Sequence, residues 1–126
     1  MEFIERKIVF HGSHFTDFYL GQTMQVQEKI EYVLRIIRQV ERVSKKFLSP
    51  FQGTDGIYEI RVEYGSNIYR IFCCFDEGNI VILFNGFQKK TQKTPLKEIE
   101  KAIRLKREYF EFKNTQENEK RSNKKR

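Results

Sequence analysis

The sequence predicts a single α+β domain with an N-terminal strand, helices, a mostly antiparallel four-stranded sheet and a C-terminal helix. Three observations support this class. A chain of 126 residues is long enough for one core but too short for two ordinary domains. Apolar residues recur at steps of three and four between 23 and 46, which indicates an amphipathic helix. Between 57 and 87, turn sequences separate three apolar segments, a pattern typical of a strand meander.

The N-terminal part is predicted to contain one strand and two helices. Residues 3–10 are rich in apolar side chains and predict the first strand. A short helix is expected over 13–20, because aromatic residues recur at helical spacing there and Gly21 interrupts the pattern. The long helix over 23–46 follows. Its buried stripe is predicted to consist of Val26, Ile30, Val33, Leu34, Ile37 and Val40.

The three meander strands are predicted to be buried to different extents. Residues 57–63 alternate between apolar and charged side chains, so one face is predicted to be buried and the other polar. Residues 68–75 are apolar on both faces apart from Arg70, which predicts a central strand. The third strand is the apolar segment that runs to Phe87.

The C-terminal part is predicted to be a helix followed by a tail. Thr94 as the N-cap and Pro95 at the first helical position mark the start of the helix. From 113 to 126 there is no apolar side chain, which predicts a disordered basic tail. The folded domain is therefore expected to span residues 1–112.

Composition restricts the function classes. The formal net charge of +7 favours an anionic partner, either nucleic acid or an acidic protein. The sequence contains no signal peptide and no apolar run long enough to cross a membrane, so a cytoplasmic location is expected. Cys73 and Cys74 are adjacent in a predicted strand and point to opposite faces, so they are interpreted as small buried residues rather than a disulfide.

Metal and cofactor chemistry finds no support in the motifs. The histidines His11 and His14 lie close together and are interpreted as turn residues, because no zinc-binding spacing accompanies them. The sequence has no phosphate-binding P-loop, no dinucleotide fingerprint and no nucleophile elbow. We therefore expect no metal and no cofactor.

Basic residues are concentrated where the last predicted strand leads into the last helix. The segment from 86 to 107 contains eight basic residues and only two acidic ones, Glu98 and Glu100. The basic residues are Lys89, Lys90, Lys93, Lys97, Lys101, Arg104, Lys106 and Arg107. For the helical ones a solvated face is favoured, whereas Lys89, Lys90 and Lys93 are interpreted as a phosphate-binding surface. Phe87 beside them is either a core residue or a platform on which a base stacks.

Charges in the meander add to this cationic region. Strand alternation places Glu59 and Arg61 on one face, and Arg70 is a lone charge on the neighbouring central strand. Charges on central strands need a partner. Two interpretations are open: Glu59 pairs with Arg70 or Arg61 across the sheet, or the arginines join the lysines in an anion site.

Two segments carry a family resemblance, GTDGIYEIRVEYGSNIYRIF (53–72) and GFQKKTQKTPLKEIEKA (86–102). With the two-helix start, they resemble the HigB-like, phage-derived branch of the RelE/ParE toxin superfamily over residues 3–112. The resemblance implies a RelE-like toxin fold, with helices packed on one face of the sheet. It also implies the toxin of a type II toxin-antitoxin system, neutralised by a cognate antitoxin that usually carries a helix-turn-helix domain.

The resemblance further implies which residues act. RelE-like members cut messenger RNA on the ribosome, and the matching positions are Glu59, Arg61, Arg70, Lys89 and Lys90. Lys93, Phe87, Thr91 and Lys97 are expected to bind RNA. RelE carries a lysine where this chain has Glu59, so the group that transfers protons is left open between Glu59 as the general base and a lysine of the cluster. Two alternatives remain, a ParE-like inhibitor of DNA gyrase and a non-catalytic nucleic-acid-binding module.

Overall fold

The computed structural model describes residues 4–124, and this part contains five strands and three helices. They are, in chain order, β1 (Lys7–Phe10), α1 (His14–Leu20), α2 (Met24–Gln39), β2 (Leu48–Pro50), β3 (Tyr58–Tyr64), β4 (Asn67–Asp76), β5 (Ile80–Lys89) and α3 (Leu96–Lys124). This order confirms the predicted α+β class. Residue 3, which the sequence assigns to the first strand, lies outside the described residues.

The strands form one mixed sheet in the order β1-β5-β4-β3-β2. β3, β4 and β5 are the predicted antiparallel meander, and β1 pairs in parallel with β5. The prediction of four strands is wrong because β2 adds a fifth, antiparallel to β3. β2 has only three residues and ends in Pro50, so it shows no alternation. An edge position tolerates the missing N–H of proline, and pairing with β3 extends this segment.

Helix α2 ends at Gln39, seven residues before the predicted end at 46. Val40 already has an extended backbone, with φ −96° and ψ 127°. The Arg6 guanidinium donates hydrogen bonds to the carbonyl oxygens of Ile37 at 2.7 Å and Val40 at 2.6 Å. A cation that satisfies unpaired carbonyls stabilises a helix C-terminus. This cap comes from a residue more than thirty positions away, so local sequence could not show it.

The sheet separates two cores. Helices α1 and α2 cover one face, whose buried side chains include Ile30, Val33, Ile37, Ile60, Ile71 and Leu83. Helix α3 covers part of the other face, where Ala102 and Leu105 pack on Phe72, Ile82 and Phe84. The helices before the meander therefore share one face, as the resemblance implies, and the C-terminal helix lies on the opposite one.

The adjacent cysteines belong to different cores. Cys73 lies in the core under α1 and α2, and Cys74 lies in the core under α3. Both are buried and free, which confirms their interpretation from the sequence. Burial raises the pKa of both thiols, that of Cys74 to about 12, so neither is a thiolate near neutral pH.

The register between β4 and β5 shifts at residues 84–85 of β5, and the adjacent Asn85 and Gly86 contact both helix layers. A Cβ atom on Gly86 would lie 2.5 Å from a ring carbon of Phe18, so only glycine lets α1 approach the strand this closely. On the other face, the buried Asn85 donates from Nδ2 to the carbonyl oxygen of Glu98 at 3.0 Å. This bond holds the first turn of α3 against β5.

Helix α3 begins at Leu96, one residue after the predicted start. It continues to Lys124, whereas the sequence predicts a disordered tail from 113. Its fourth and fifth turns are anchored to the sheet by Asp76, which accepts hydrogen bonds from Tyr109 Oη at 2.7 Å and from Lys113 Nζ at 2.9 Å. This contact holds α3 to the sheet one residue past its last apolar side chain, Phe112, and the helix then continues to Lys124. Residues 125–126 of the predicted tail lie outside the described residues.

Electrostatics at this anchor are coupled. Burial by itself would raise the pKa of Asp76, but the hydrogen bonds from Lys113 and Tyr109 outweigh it and lower that pKa below its usual value. Burial and the bond to Asp76 raise the pKa of Tyr109 to about 12. Tyr109 therefore stays a hydrogen-bond donor over the physiological pH range.

Two classes of feature are absent from the described residues. Among residues 4–124, no helix is long and apolar enough to cross a membrane. The same part of the chain contains no group of three or more His, Cys, Asp or Glu side chains placed to hold a metal ion. His11 lies just before α1, where its ring meets Phe84 and Tyr109 edge to face, and His14 is the first residue of α1.

Candidate functional site

The candidate site lies where α3 leaves the sheet uncovered. The antiparallel register places Arg61 opposite Arg70 and Arg70 opposite Phe87, so one row of side chains crosses three strands. In the next row, Ile68 lies opposite Lys89. Residues directly opposite in such a sheet have Cβ atoms about 5 Å apart on the same face. Strand register therefore gathers the two arginines and Lys89 on the face that carries α3.

These side chains line an open cleft of about 560 Å³ at the end of the meander. Its walls are Arg61, Ile68, Arg70, Lys89, Lys90, Thr91 and Gln92. Four of the five residues proposed as catalytic and one proposed as RNA-binding thus share one concave surface. Ile68 and Gln92 were missed by the sequence reasoning, since an aliphatic side chain on a central strand and a loop amide carry no distinguishing signal.

Glu59 forms an ion pair with Arg70 below the cleft. The side chains are only 12% and 11% exposed, so the pair is almost removed from water. This geometry confirms the first interpretation from the sequence, in which a charge on a central strand is neutralised across the sheet. Neither Glu59 Oε2 nor Arg70 Nε has a hydrogen-bond partner within the described part of the chain. The free-energy cost of removing both charges from water, with these two atoms left unsatisfied, offsets much of the attraction between the charges.

Arg61 pairs with Glu63 on its own strand rather than with Glu59. Its Nε donates to Glu63 Oε1 at 2.8 Å. The side chains are 36% and 46% exposed, so this pair lies in contact with solvent and can exchange partners at little cost. Alternation at steps of two along β3 places Glu63 beside Arg61, and this signal could have identified it as a site residue.

The site as a whole is cationic. Arg61, Arg70, Lys89 and Lys90 carry four positive charges, and Glu59 and Glu63 carry two negative ones. An excess of two positive charges in a concave surface attracts a phosphodiester and holds its oxygens by charge-assisted hydrogen bonds. Lys90 is exposed and Lys89 is half-buried, so their ammonium groups can reach a bound anion.

Three residues proposed to bind RNA lie outside the cleft lining. Phe87 is half-buried and packs against Phe72, with ring centroids 5.6 Å apart, which supports its interpretation as a core residue. Lys93 is exposed in the connector, where its carbonyl oxygen accepts a hydrogen bond from Thr91 Oγ1 at 2.7 Å. Lys97 lies on α3 and lines a different depression, on the outer side of that helix.

Comparison with known proteins identifies the family. A family model described as phage-derived protein Gp49-like (DUF891) matches residues 19–107, which include α2, the whole meander, the cleft and the first turns of α3. No curated protein matches the chain. The chain therefore belongs to the Gp49-like phage-derived family, a RelE-like toxin family of toxin-antitoxin systems, which implies an antitoxin partner.

Proposed function

We propose that this protein is the toxin of a type II toxin-antitoxin system and that it cleaves messenger RNA on the ribosome, as members of the HigB-like branch of RelE toxins do. Family membership supports the role of a toxin. The observation that carries the nuclease activity is the convergence of Arg61, Arg70, Lys89 and Lys90 on one open cleft. A toxin that only blocked a protein partner would not need four basic side chains in the lining of one cleft.

The cleavage proceeds by attack of a ribose 2′-oxygen on the adjacent phosphorus. The bond to the 5′-oxygen breaks, and a 2′,3′-cyclic phosphate forms as the 5′-oxygen leaves with a proton. Arg61 and Lys89 stabilise the negative charge that builds up on the non-bridging oxygens. Lys90, the most accessible ammonium of the site, donates the proton to the leaving oxygen.

The two carboxylates of the site take different parts. Glu59 is 12% exposed and bound to Arg70, so it positions that guanidinium at the floor of the cleft instead of exchanging protons with a substrate. Glu63 is 46% exposed and shares its contact with Arg61, so it is the carboxylate that a 2′-hydroxyl can reach. When a phosphate attracts Arg61, Glu63 is released to accept the hydroxyl proton.

The test is expression of the chain in bacteria with and without its antitoxin. We expect growth arrest by the toxin alone, recovery on co-expression, and messenger RNA cut within reading frames while plasmid supercoiling stays normal. Loss of supercoiling with intact transcripts would identify a gyrase inhibitor instead. Unimpaired growth in the presence of soluble protein would contradict a toxin of either kind, and RNA binding without arrest would leave only a nucleic-acid-binding module.

A further inference from the structure

A second cationic surface lies on α3, outside the cleft. A depression of about 710 Å³ on the side of α3 away from the core is lined by Glu98, Glu100 and Ile103 and by four basic residues, Lys97, Lys101, Arg104 and Arg107. We call these four residues the α3 basic surface. The helix turns its other side, with Ala102 and Leu105, into the sheet. The basic residues are thus presented to solvent over about three helical turns, or about 15 Å.

The stability of α3 does not account for this placement. The positive end of the helix dipole is at the N-terminus, where carboxylates are favourable and a cation such as Lys97 is unfavourable. Glu98 is the acidic residue of the first turn, and its Oε1 lies 3.3 Å from Asn85 Nδ2. Glu98 and Glu100 line the same depression, so the four basic residues leave it with an excess of two positive charges. Of the four basic residues, Lys97 lies in the first turn of α3, where the interaction with the helix dipole disfavours a cation.

The charges are also mostly available to a ligand. Within the described residues, Arg104 pairs with Glu108 at 3.8 Å, and no ion pair involves Lys97, Lys101 or Arg107. His14, on α1 nearby, has its pKa lowered by burial and then by the positive charges of Lys101 and Arg104. The positive potential thus extends beyond the helix itself.

The α3 basic surface continues from the cleft. Lys90 lines the cleft at the start of the connector, the exposed Lys93 follows, and Lys97 begins the helical surface. At about 3.4 Å per nucleotide of a stacked strand, the 15 Å along α3 corresponds to about four nucleotides. A strand held at the cleft can therefore continue along α3 past these basic side chains.

We propose that the α3 basic surface is a second RNA-binding site, which holds the phosphates of the strand on one side of the scissile bond. This inference rests on the proposed function. RNA fits better than an acidic protein because the depression offers one apolar side chain, Ile103, beside its four cations and the carboxylates of Glu98 and Glu100, whereas protein interfaces have an apolar core. Its chemistry is that of a backbone-tracking groove, which binds RNA without reading the sequence.

The test measures binding of the full chain to a fluorescent 2′-O-methyl RNA dodecamer, which cannot be cleaved because its 2′-oxygen carries no proton. The variant Lys97→Ala/Lys101→Ala/Arg107→Ala removes three charges from the α3 basic surface. Each lost phosphate contact lowers the slope of log affinity against log salt by about 0.7, so we expect a slope lower by about 2. A trinucleotide, which occupies only the cleft, should bind the variant as it binds the wild type.

A matched control removes the same charge from the opposite side of the molecule. Arg35, Arg38 and Arg42 are exposed on and just after α2, and their replacement by alanine also lowers the net charge of +7 by three. For this control variant, the slope of log affinity against log salt should change much less. A second control, Lys97→Arg/Lys101→Arg, keeps the charge and should retain binding. Equal melting temperatures establish that the variants are folded.

The other results separate this inference from the proposed function. If the α3 variant and the α2 control show the same salt dependence of dodecamer binding while Lys89→Ala/Lys90→Ala weakens binding, RNA is held by the cleft alone and the second site is refuted. If the α3 variant binds RNA normally but loses binding to polyglutamate, the surface is a site for an acidic polypeptide and the inference is also wrong. If the wild type binds neither RNA, recognition by the cleft fails as well.

Discussion

Replacing Arg70 by Met should destabilise the fold strongly, because the substitution keeps the volume and leaves Glu59 charged and unpaired. The two side chains are 11% and 12% exposed, so solvent cannot replace the lost partner. Breaking a buried pair in this way costs about 3–5 kcal/mol, a large part of a total stability of about 5–15 kcal/mol. For a domain of this size, 1 kcal/mol shifts the melting temperature by about 3–5 °C. We therefore expect a decrease of about 10–20 °C.

Thermal and urea unfolding, followed by circular dichroism, measure this effect. The double variant Glu59→Leu/Arg70→Met removes both charges and should recover most of the lost stability, since apolar replacements of buried pairs are often neutral or stabilising. Arg61→Met is the matched control: it breaks the exposed pair with Glu63 and should cost less than about 1 kcal/mol. An Arg70→Met variant that melts within about 2 °C of the wild type would refute the buried pair.

Four further predictions concern the site and the α3 anchor. Lys89→Ala/Lys90→Ala should shift stability by less than about 0.5 kcal/mol per residue and still bind antitoxin, but should abolish growth arrest; full toxicity would make the segment a mere connector. Glu63→Gln should abolish RNA cleavage on ribosomes at an unchanged melting temperature, and wild-type cleavage would exclude Glu63 as the base. The pKa of Asp76 is lower in the folded state than in the unfolded state, because its hydrogen bonds outweigh burial. The contribution of Asp76 to the free energy of unfolding is therefore present above the unfolded pKa of 3.8 and is lost as the pH falls through the folded pKa. Asp76→Asn should flatten this acid limb of the curve of stability against pH. Ending the chain after Lys113 should leave the melting temperature unchanged, whereas ending it before Lys113 should lower it, and equal values would show that the contact with Asp76 contributes nothing.

Sequence pattern determined the elements whose cause is local. The 3.6-residue period revealed α2, and strict alternation revealed β3 with Glu59 and Arg61 on the polar face. The lone Arg70 on an apolar strand indicated a buried partner, which is Glu59. The lysines of the connector could be connected with the arginines because a meander brings neighbouring strands together. The cleft could be anticipated to this extent.

Tertiary structure alone decided what depends on distant residues. Arg6 ends α2, β3 recruits β2 as a fifth strand, and Asp76 anchors α3 beyond the last apolar side chain. Each of these contacts joins residues that no local pattern relates. The sequence also could not show which charges pair with each other. Strand register and burial pair Glu59 with Arg70 and leave Glu63 at the surface with Arg61. Sequence determined which charges are present, and packing determined which of them water and substrate can reach.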